Sequence, residues 1–351
     1  MDIDLTKTTA YDYELPKELI AQDPAEPRDS SRLLVVHRKT AHTEDRIFRD
    51  ITEYLKPGDL LVLNDTRVLP ARVEGIKDNG AGCGAKVEIF FLQPGAAQNE
   101  WNALVRPGRK LPEGTIVTIG GNVSVTIGAR LEDGLRTIIF ERGTEAFEVI
   151  HKYGHVPLPH YITHTHAADE RYQTIYADAA KENSVAAPTA GLHFTKELLE
   201  KLDAMGVRHI FITLQVGLGT FRPVKADNIA DHVMHSEYCE ITEEAARAIN
   251  GAKAGGGRVI AVGTTVVRTL ESFAQKFGSV QPGGIDTRLF ISPGYQYKVI
   301  DALITNFHLP MSTLLMLVSA FGGYETMMRV YKEAVQKRYR FFSFGDSMFI
   351  E

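Results

Sequence analysis

Imidazole is the side-chain group whose charge changes nearest neutral pH. His193 and His308 stand in short polar segments, PTAGLHF (188–194) and TNFHLP (305–310). Arg222 ends GLGTFR (217–222), and Asp65 and Arg67 lie together in NDTR (64–67). Gly263, Thr264 and Thr265 precede a helical apolar pattern, so their backbone N–H groups and hydroxyls make a seat for an anion. Arg268 and Glu271 project from that helix. Backbone donors, hydroxyls and amides dominate these segments, a composition suited to an adenosine-like or amino-acid-containing ligand.

Four of the clusters, 64–67, 217–222, 263–265 and 306–308, follow stretches that read as buried strands: 59–64, 208–216, 258–262 and 299–304. In parallel α/β sheets and barrels the carboxyl ends of strands share one rim, so the clusters are expected to converge on one pocket. Between two of the loops, Thr195 reads as an N-cap and Leu198, Leu199, Leu202 and Met205 as one helical face. Gly206 then closes that helix.

Helices are also expected at 16–21, 48–55, 240–254 (begun at Thr242), 266–273, 314–321 and 325–338, with a further strand at 287–291. The C-terminal RYRFFSFGDSMFIE is strand-like, with Asp346 as its buried-looking carboxylate. Arg28, Asp29, Ser30, Ser31 and Arg32 fit either a solvated loop or a binding segment. Residues 71–148 change texture: six short β-like runs separated by Asp-Asn-Gly, Pro-Gly, Gly-Gly and Asp-Gly signals read as a small β-barrel. The expected organisation is an α/β domain over 1–65 and 152–351 with the barrel, 66–151, inserted. The connector after it carries His151, His155, His160, His164 and His166, whose spacing matches no zinc pattern; a polar loop is the simpler reading. Tyr172, Gln173, Thr174 and Tyr176 could hold a base or pack a domain seam.

The chain has 351 residues, 44% hydrophobic and 24% charged, enough for two domains. No apolar run reaches the roughly 20 residues that span a bilayer, and no signal peptide opens the sequence, so a cytoplasmic protein is expected. Cys83 and Cys239 make neither a disulfide framework nor a metal site. A formal charge of -5 argues against a generally basic nucleic-acid coat and leaves room for a local basic patch.

NDTRVLPAR (64–72), PTAGLHF, VGLGTFRPV (216–224), HSEYCEI (235–241), VGTTVVRTLES (262–272) and LITNFHLPMSTLLMLVSAF (303–321) together resemble one family, the S-adenosylmethionine:tRNA ribosyltransferase-isomerases of queuosine biosynthesis. The likeness spans essentially the whole chain. It implies an α/β-barrel domain with an inserted β-barrel. It also implies ribosyl transfer from S-adenosylmethionine to 7-aminomethyl-7-deazaguanine at the tRNA wobble position, giving epoxyqueuosine, adenine and methionine. S-adenosylmethionine is then a consumed substrate; no cofactor and no metal are expected, and the protein is expected to be a monomer.

Such chemistry needs an amine of pKa roughly 10 to lose a proton, which calls for a base near neutrality. His193 and His308 are the candidates, with Asp65 as a third catalytic group. Asn306 and Thr220 are placed at the purine, Thr264 and Thr265 at the methionine carboxylate, and Asp65 and Arg67 at the modified base or a flanking phosphate. Thr189, Gly191, Gly217, Gly219, Arg222 and Arg268 complete the expected substrate-binding set. Arg67, Arg72, Arg106, Arg109 and Lys110, with Lys337, Arg338 and Arg340, are either tRNA contacts or solvated charges.

Two rivals remain. A methyltransferase would use Val216-Gly217-Leu218-Gly219-Thr220 as a cofactor turn, but Phe221-Arg222-Pro223 follows where a helix should begin. A non-catalytic RNA-binding protein would leave the strand-end clusters without a use.

Overall fold

The structure, a computed structural model, describes residues 3–79, 84–217 and 226–351. It divides into two compact units. One comprises Met1–Thr66, His160–Lys181 and Ala187–Glu351; the other Arg67–Pro159 and Glu182–Ala186.

Along the chain the first unit supplies β1 (Arg32–His37), β2 (His42–Ile47) and β3 (Leu60–Asn64). The second unit contributes β4 (Arg67–Val68), β5 (Arg72–Lys77), β6 (Lys86–Pro94), β7 (Glu100–Arg106), β8 (Ile116–Ile119), β9 (Val123–Arg130) and β10 (Arg136–Phe140). It ends with α1 (Ala146–Tyr153), β11 (Gly154–His155) and β12 (Glu182–Ser184). The first unit then resumes with α2 (Lys196–Ala204), β13 (Arg208–Leu214), β14 (Glu237–Ile241), α3 (Glu243–Ala254), β15 (Val259–Val262), α4 (Thr264–Phe277) and β16 (Gly283–Thr287). It finishes with β17 (Ala302–Asn306), α5 (Thr313–Gly322), α6 (Tyr324–Gln336) and β18 (Ser347–Ile350).

The second unit is a closed antiparallel barrel, β5-β6-β7-β10-β9-β8 and back to β5. Strict alternation puts Val87, Ile89, Phe91, Val117, Ile119, Ile138 and Phe140 inside, and α1 adds Val149 and Ile150 to the same core. Phe91 stacks on Phe140 at 5.7 Å between centroids, so Phe91→Ala removes a filled centre worth about 3–5 kcal/mol.

The first unit carries a nine-stranded sheet, β16-β14-β13-β3-β15-β17-β18-β1-β2. Its centre, β13, β3, β15 and β17, is parallel. The α/β class and the inserted antiparallel barrel are as expected. Among the described residues the ladder of the α/β unit shows no pairing between β16 and β2. One sheet face buries Leu61, Leu63, Val262 and Ile304 under Phe48, Phe194 and the Leu198, Leu199 and Leu202 stripe of α2. Thr195 caps α2 by accepting from Leu198 N, and Gly206 follows it at φ +79°.

Several elements differ from expectation. Residues 237–241 form a strand that was not expected, β14, with Glu237, Cys239 and Ile241 facing inward, while the helix after it is capped by Thr242 as expected. The strand expected at 287–291 ends at Thr287, because Thr287 Oγ1 takes Leu289 N and Arg268 takes Leu289 O. The segments expected as helices at 16–21 and 48–55 are 3-10 turns, Lys17–Leu19 and Phe48–Glu53.

Candidate active site

Since β13, β3, β15 and β17 are parallel neighbours, Leu214, Asn64, Val262 and Asn306 end at one edge of the sheet. The pairing of Asn306 with Ser347, and of Ser347 with Leu33, brings the starts of β18 and β1 to that edge as well. Ser31, from the segment 28–32 weighed as a binding segment, and Asp346, the buried-looking carboxylate, thereby join the site. Asp346 serves the scaffold there, accepting from Arg32 N at 3.0 Å and from Arg340 N at 2.8 Å.

The 3-10 turn Thr189–His193 carries His193 onto the α2 side of the sheet, its ring stacked on Phe48 at 5.0 Å. Nδ1 lies 2.7 Å from Ser31 Oγ, and Nε2 lies 3.3 Å from Asn306 Nδ2. The Asn306 amide also donates to Phe342 O at 3.0 Å, and its buried Oδ1 has no partner among the described residues. An amide donor facing Nε2 places the imidazole proton on Nδ1, from where it is donated to Ser31. Burial, reinforced by the nearby Arg340 charge, holds His193 down at about 3. The imidazole is neutral at physiological pH, and the expected base titrating near neutrality is not what the free protein holds. Gly191 is explained by packing: a Cβ there would stand 2.0 Å from Tyr176 Oη. Thr189 is half-buried at the start of the same turn.

His308 is enclosed differently. Its Nε2 lies 3.0 Å from Thr305 Oγ1, and Thr305 points to the opposite sheet face from Asn306 because side chains alternate along a strand. Its backbone N–H donates to Tyr331 Oη, and its carbonyl accepts from Tyr13 Oη at 2.5 Å. Burial alone holds it at about 3. The two histidines therefore share the edge without sharing partners.

Asp65 is buried and accepts from Thr213 Oγ1 at 2.8 Å and from Lys181 Nζ at 2.6 Å. Lys181, absent from the sequence-based candidates, compensates its charge. Asn64 stitches the edge together, exchanging hydrogen bonds with Leu214 N and O at 3.1 Å and reaching Thr265 Oγ1 at 3.4 Å. Gly263 enters α4 at φ +95°, a conformation that favours glycine, and no side chain caps the helix. Its first N–H groups, beside Thr264 and Thr265, are oriented for an anion.

Arg268 is buried, bonded to the Glu237 carboxylate and, through Nε, to Leu289 O at 3.1 Å; its Nη2 has no partner among the described residues. Glu237 also accepts from Gly217 N at 3.2 Å, which ties the glycine loop to α4. Glu237 lies within HSEYCEI and is not marked out by residue type; the inward alternation of β14 is the signal that would have found it. Gly219, Thr220 and Arg222 lie outside the described residues, as does Cys83.

In the barrel unit Arg67 pairs with Glu182 at 3.1 Å and Arg72 with Glu88 at 3.4 Å. Arg106, Arg109 and Lys110 are exposed, with no ion pair among the described residues. Near the C-terminus Lys337 is held by Asp45 and Glu333 and Arg340 by Asp346, while Arg338 is exposed. Cys239 is buried and its thiol is pushed up to about 12 by that burial, which makes it unreactive. No group of three or more His, Cys, Asp or Glu is arranged for a metal among the described residues.

Fold and site define a two-unit α/β protein with polar groups gathered at the carboxyl edge of its parallel strands, where such folds seat ligands. A family model described as queuosine biosynthesis protein matches residues 8–350. The chain is 51% identical over 341 residues to the S-adenosylmethionine:tRNA ribosyltransferase-isomerase of Symbiobacterium thermophilum, covering 97% of this chain and 98% of that one. It is 51% identical over 345 residues to the protein of that name from Thermoanaerobacter sp., covering 98% of this chain and 99% of the relative. A crystal structure of S-adenosylmethionine tRNA ribosyltransferase from Thermotoga maritima is similar at 40% identity and a TM-score of 0.55, over 97% of this chain and all of that one. This chain belongs to the queuosine biosynthesis protein family.

Proposed function

We propose that the protein transfers and isomerises the ribosyl moiety of S-adenosylmethionine onto 7-aminomethyl-7-deazaguanine at the tRNA wobble position, releasing adenine and methionine. The observation that carries this is full-length kinship, at about half identity, with relatives bearing that activity's name. The strand-end edge supports it with what such a substrate needs: an uncapped helix N-terminus for the methionine carboxylate and buried amides and hydroxyls for the nucleoside.

S-adenosylmethionine acts here as ribosyl donor and no resident cofactor takes part. Roughly one acceptor amine in a thousand is unprotonated at pH 7, given a pKa of about 10. A neutral His193 offers no strong base for the rest. Its role is then to orient Asn306 and Ser31, with Asp65 setting the local charge beside Lys181. Asn306 Oδ1, without a partner among the described residues, accepts from the adenine amino group, and Arg268 Nη2 takes an oxygen of the substrate. The protein acts as a cytoplasmic monomer; no described helix is long and apolar enough to cross a membrane.

Incubation with S-adenosylmethionine and tRNA bearing the aminomethyl base tests the reading. Stoichiometric adenine and methionine support it. S-adenosylhomocysteine would instead identify a methyltransferase, and tight tRNA binding without any product an RNA-binding protein.

A further inference from the structure

A partly open cleft beside His193 is lined by Arg28, Arg171, Ser31, Ser343 and His193, with Gly345 at its wall. No carboxylate lines it among the described residues. Ser31, Ser343 and His193 are each more than nine-tenths buried. Arg28 spends two donors on the carbonyls of Leu192 at 3.2 Å and Glu170 at 3.4 Å and meets no carboxylate among the described residues. Arg171 donates to Ala25 O at 2.8 Å and pairs with Glu26, whose side chain is 76% exposed. Ser343 Oγ lies 2.5 Å from Tyr161 Oη, so its hydroxyl is fixed in place. Burial, with Arg171's charge close by, brings Arg28 down to about 10.

Two guanidiniums sharing one pocket repel each other, and a guanidinium's fork of N–H donors matches an oxyanion. The ribosyl-transfer chemistry at the strand-end edge leaves this pair without a use. We propose that the Arg28–Arg171 pocket binds a phosphodiester of the RNA substrate next to the reacting centre, and so fixes the flipped nucleotide relative to His193. The inference rests on the proposed tRNA activity. A phosphodiester carries its charge on two non-bridging oxygens, one for each guanidinium, and its ester oxygens can accept from a hydroxyl besides.

The test uses the full chain with Arg28→Met, Arg171→Met and Arg28→Lys. Each Met variant is expected to raise the KM for tRNA about tenfold or more, the scale of a charge-assisted hydrogen bond. It should also make the dependence of log K on log salt shallower by about one, as for one phosphate neutralised. The KM for S-adenosylmethionine should not change, and Arg28→Lys should recover part of the affinity. Inorganic phosphate should raise Tm in the wild type and not in Arg28→Met, which reads the pocket independently of turnover. A raised S-adenosylmethionine KM with an unchanged salt slope overturns the proposal in favour of a carboxylate seat. Unchanged tRNA parameters, or no phosphate effect in a wild type that turns over tRNA, overturn it in favour of a structural clamp. A wild type that neither binds nor modifies tRNA sinks the functional reading itself.

Discussion

Asn306 Nδ2 stands 3.3 Å from His193 Nε2, joining the end of β17 to a turn 113 residues away in sequence. With Ser31 Oγ 2.7 Å from Nδ1, the imidazole is held from both sides and its tautomer is set. This three-residue bridge is the best-defined polar feature of the edge, and the first predictions follow from it.

His193→Ala is expected to lower kcat by roughly 100-fold, the scale on which misplaced reacting groups cost rate. Asn306→Ala should fall in the same range, and the double variant should lose little more than either single one, because the pair acts as a unit. His308→Ala, whose partners are Thr305, Tyr13 and Tyr331, should act chiefly on stability. Steady-state kinetics with denaturant melts of the same variants separates the two behaviours.

Acid should destabilise the fold through these histidines. Both have folded values depressed from 6.5 to about 3. The unfolded chain therefore binds protons that the folded one refuses. Their contribution is fully present above about pH 6.5 and is lost as pH falls from there toward about 3. The slope is about 1.4 kcal/mol per pH unit for each histidine fully in that window. Urea midpoints from about pH 7 to about pH 4 should decline steeply in the wild type and more gently in His308→Asn. A flat profile would refute the assignment.

Arg268→Met removes the buried guanidinium bonded to the Glu237 carboxylate, at a cost of about 3–5 kcal/mol. Adding Glu237→Gln should restore part of that stability while leaving the KM for S-adenosylmethionine raised. Chemical denaturation and initial rates on the two single variants and the double one provide the check.

Replacing Arg106, Arg109 and Lys110 together by Ala should flatten the salt dependence of tRNA binding, by about one in slope for each phosphate no longer neutralised. Arg72→Ala should have a smaller effect, since Glu88 already neutralises that charge. Filter binding between about 50 and about 200 mM salt would distinguish these outcomes.

Sequence alone determined a good deal, because much of this fold is written in local terms. The alternation of 116–119 and 123–130, the caps at Thr195, Thr242 and Ser312 and the unbroken apolar run of β3 each depend only on neighbours along the chain. Family motifs identified the activity for the same reason, being contiguous. Tertiary structure decided everything that depends on strand direction and on which sheet face a side chain takes. Parallel pairing brought Leu214, Asn64, Val262 and Asn306 to one edge, yet alternation along β17 sent Asn306 and Thr305, the partner of His308, to opposite faces. The reversal of β18 delivered Ser31 beside His193, and pairing across long loops supplied Lys181 to Asp65 and Glu237 to Arg268. Burial, which no residue type specifies, took two imidazoles that look like bases and held them neutral.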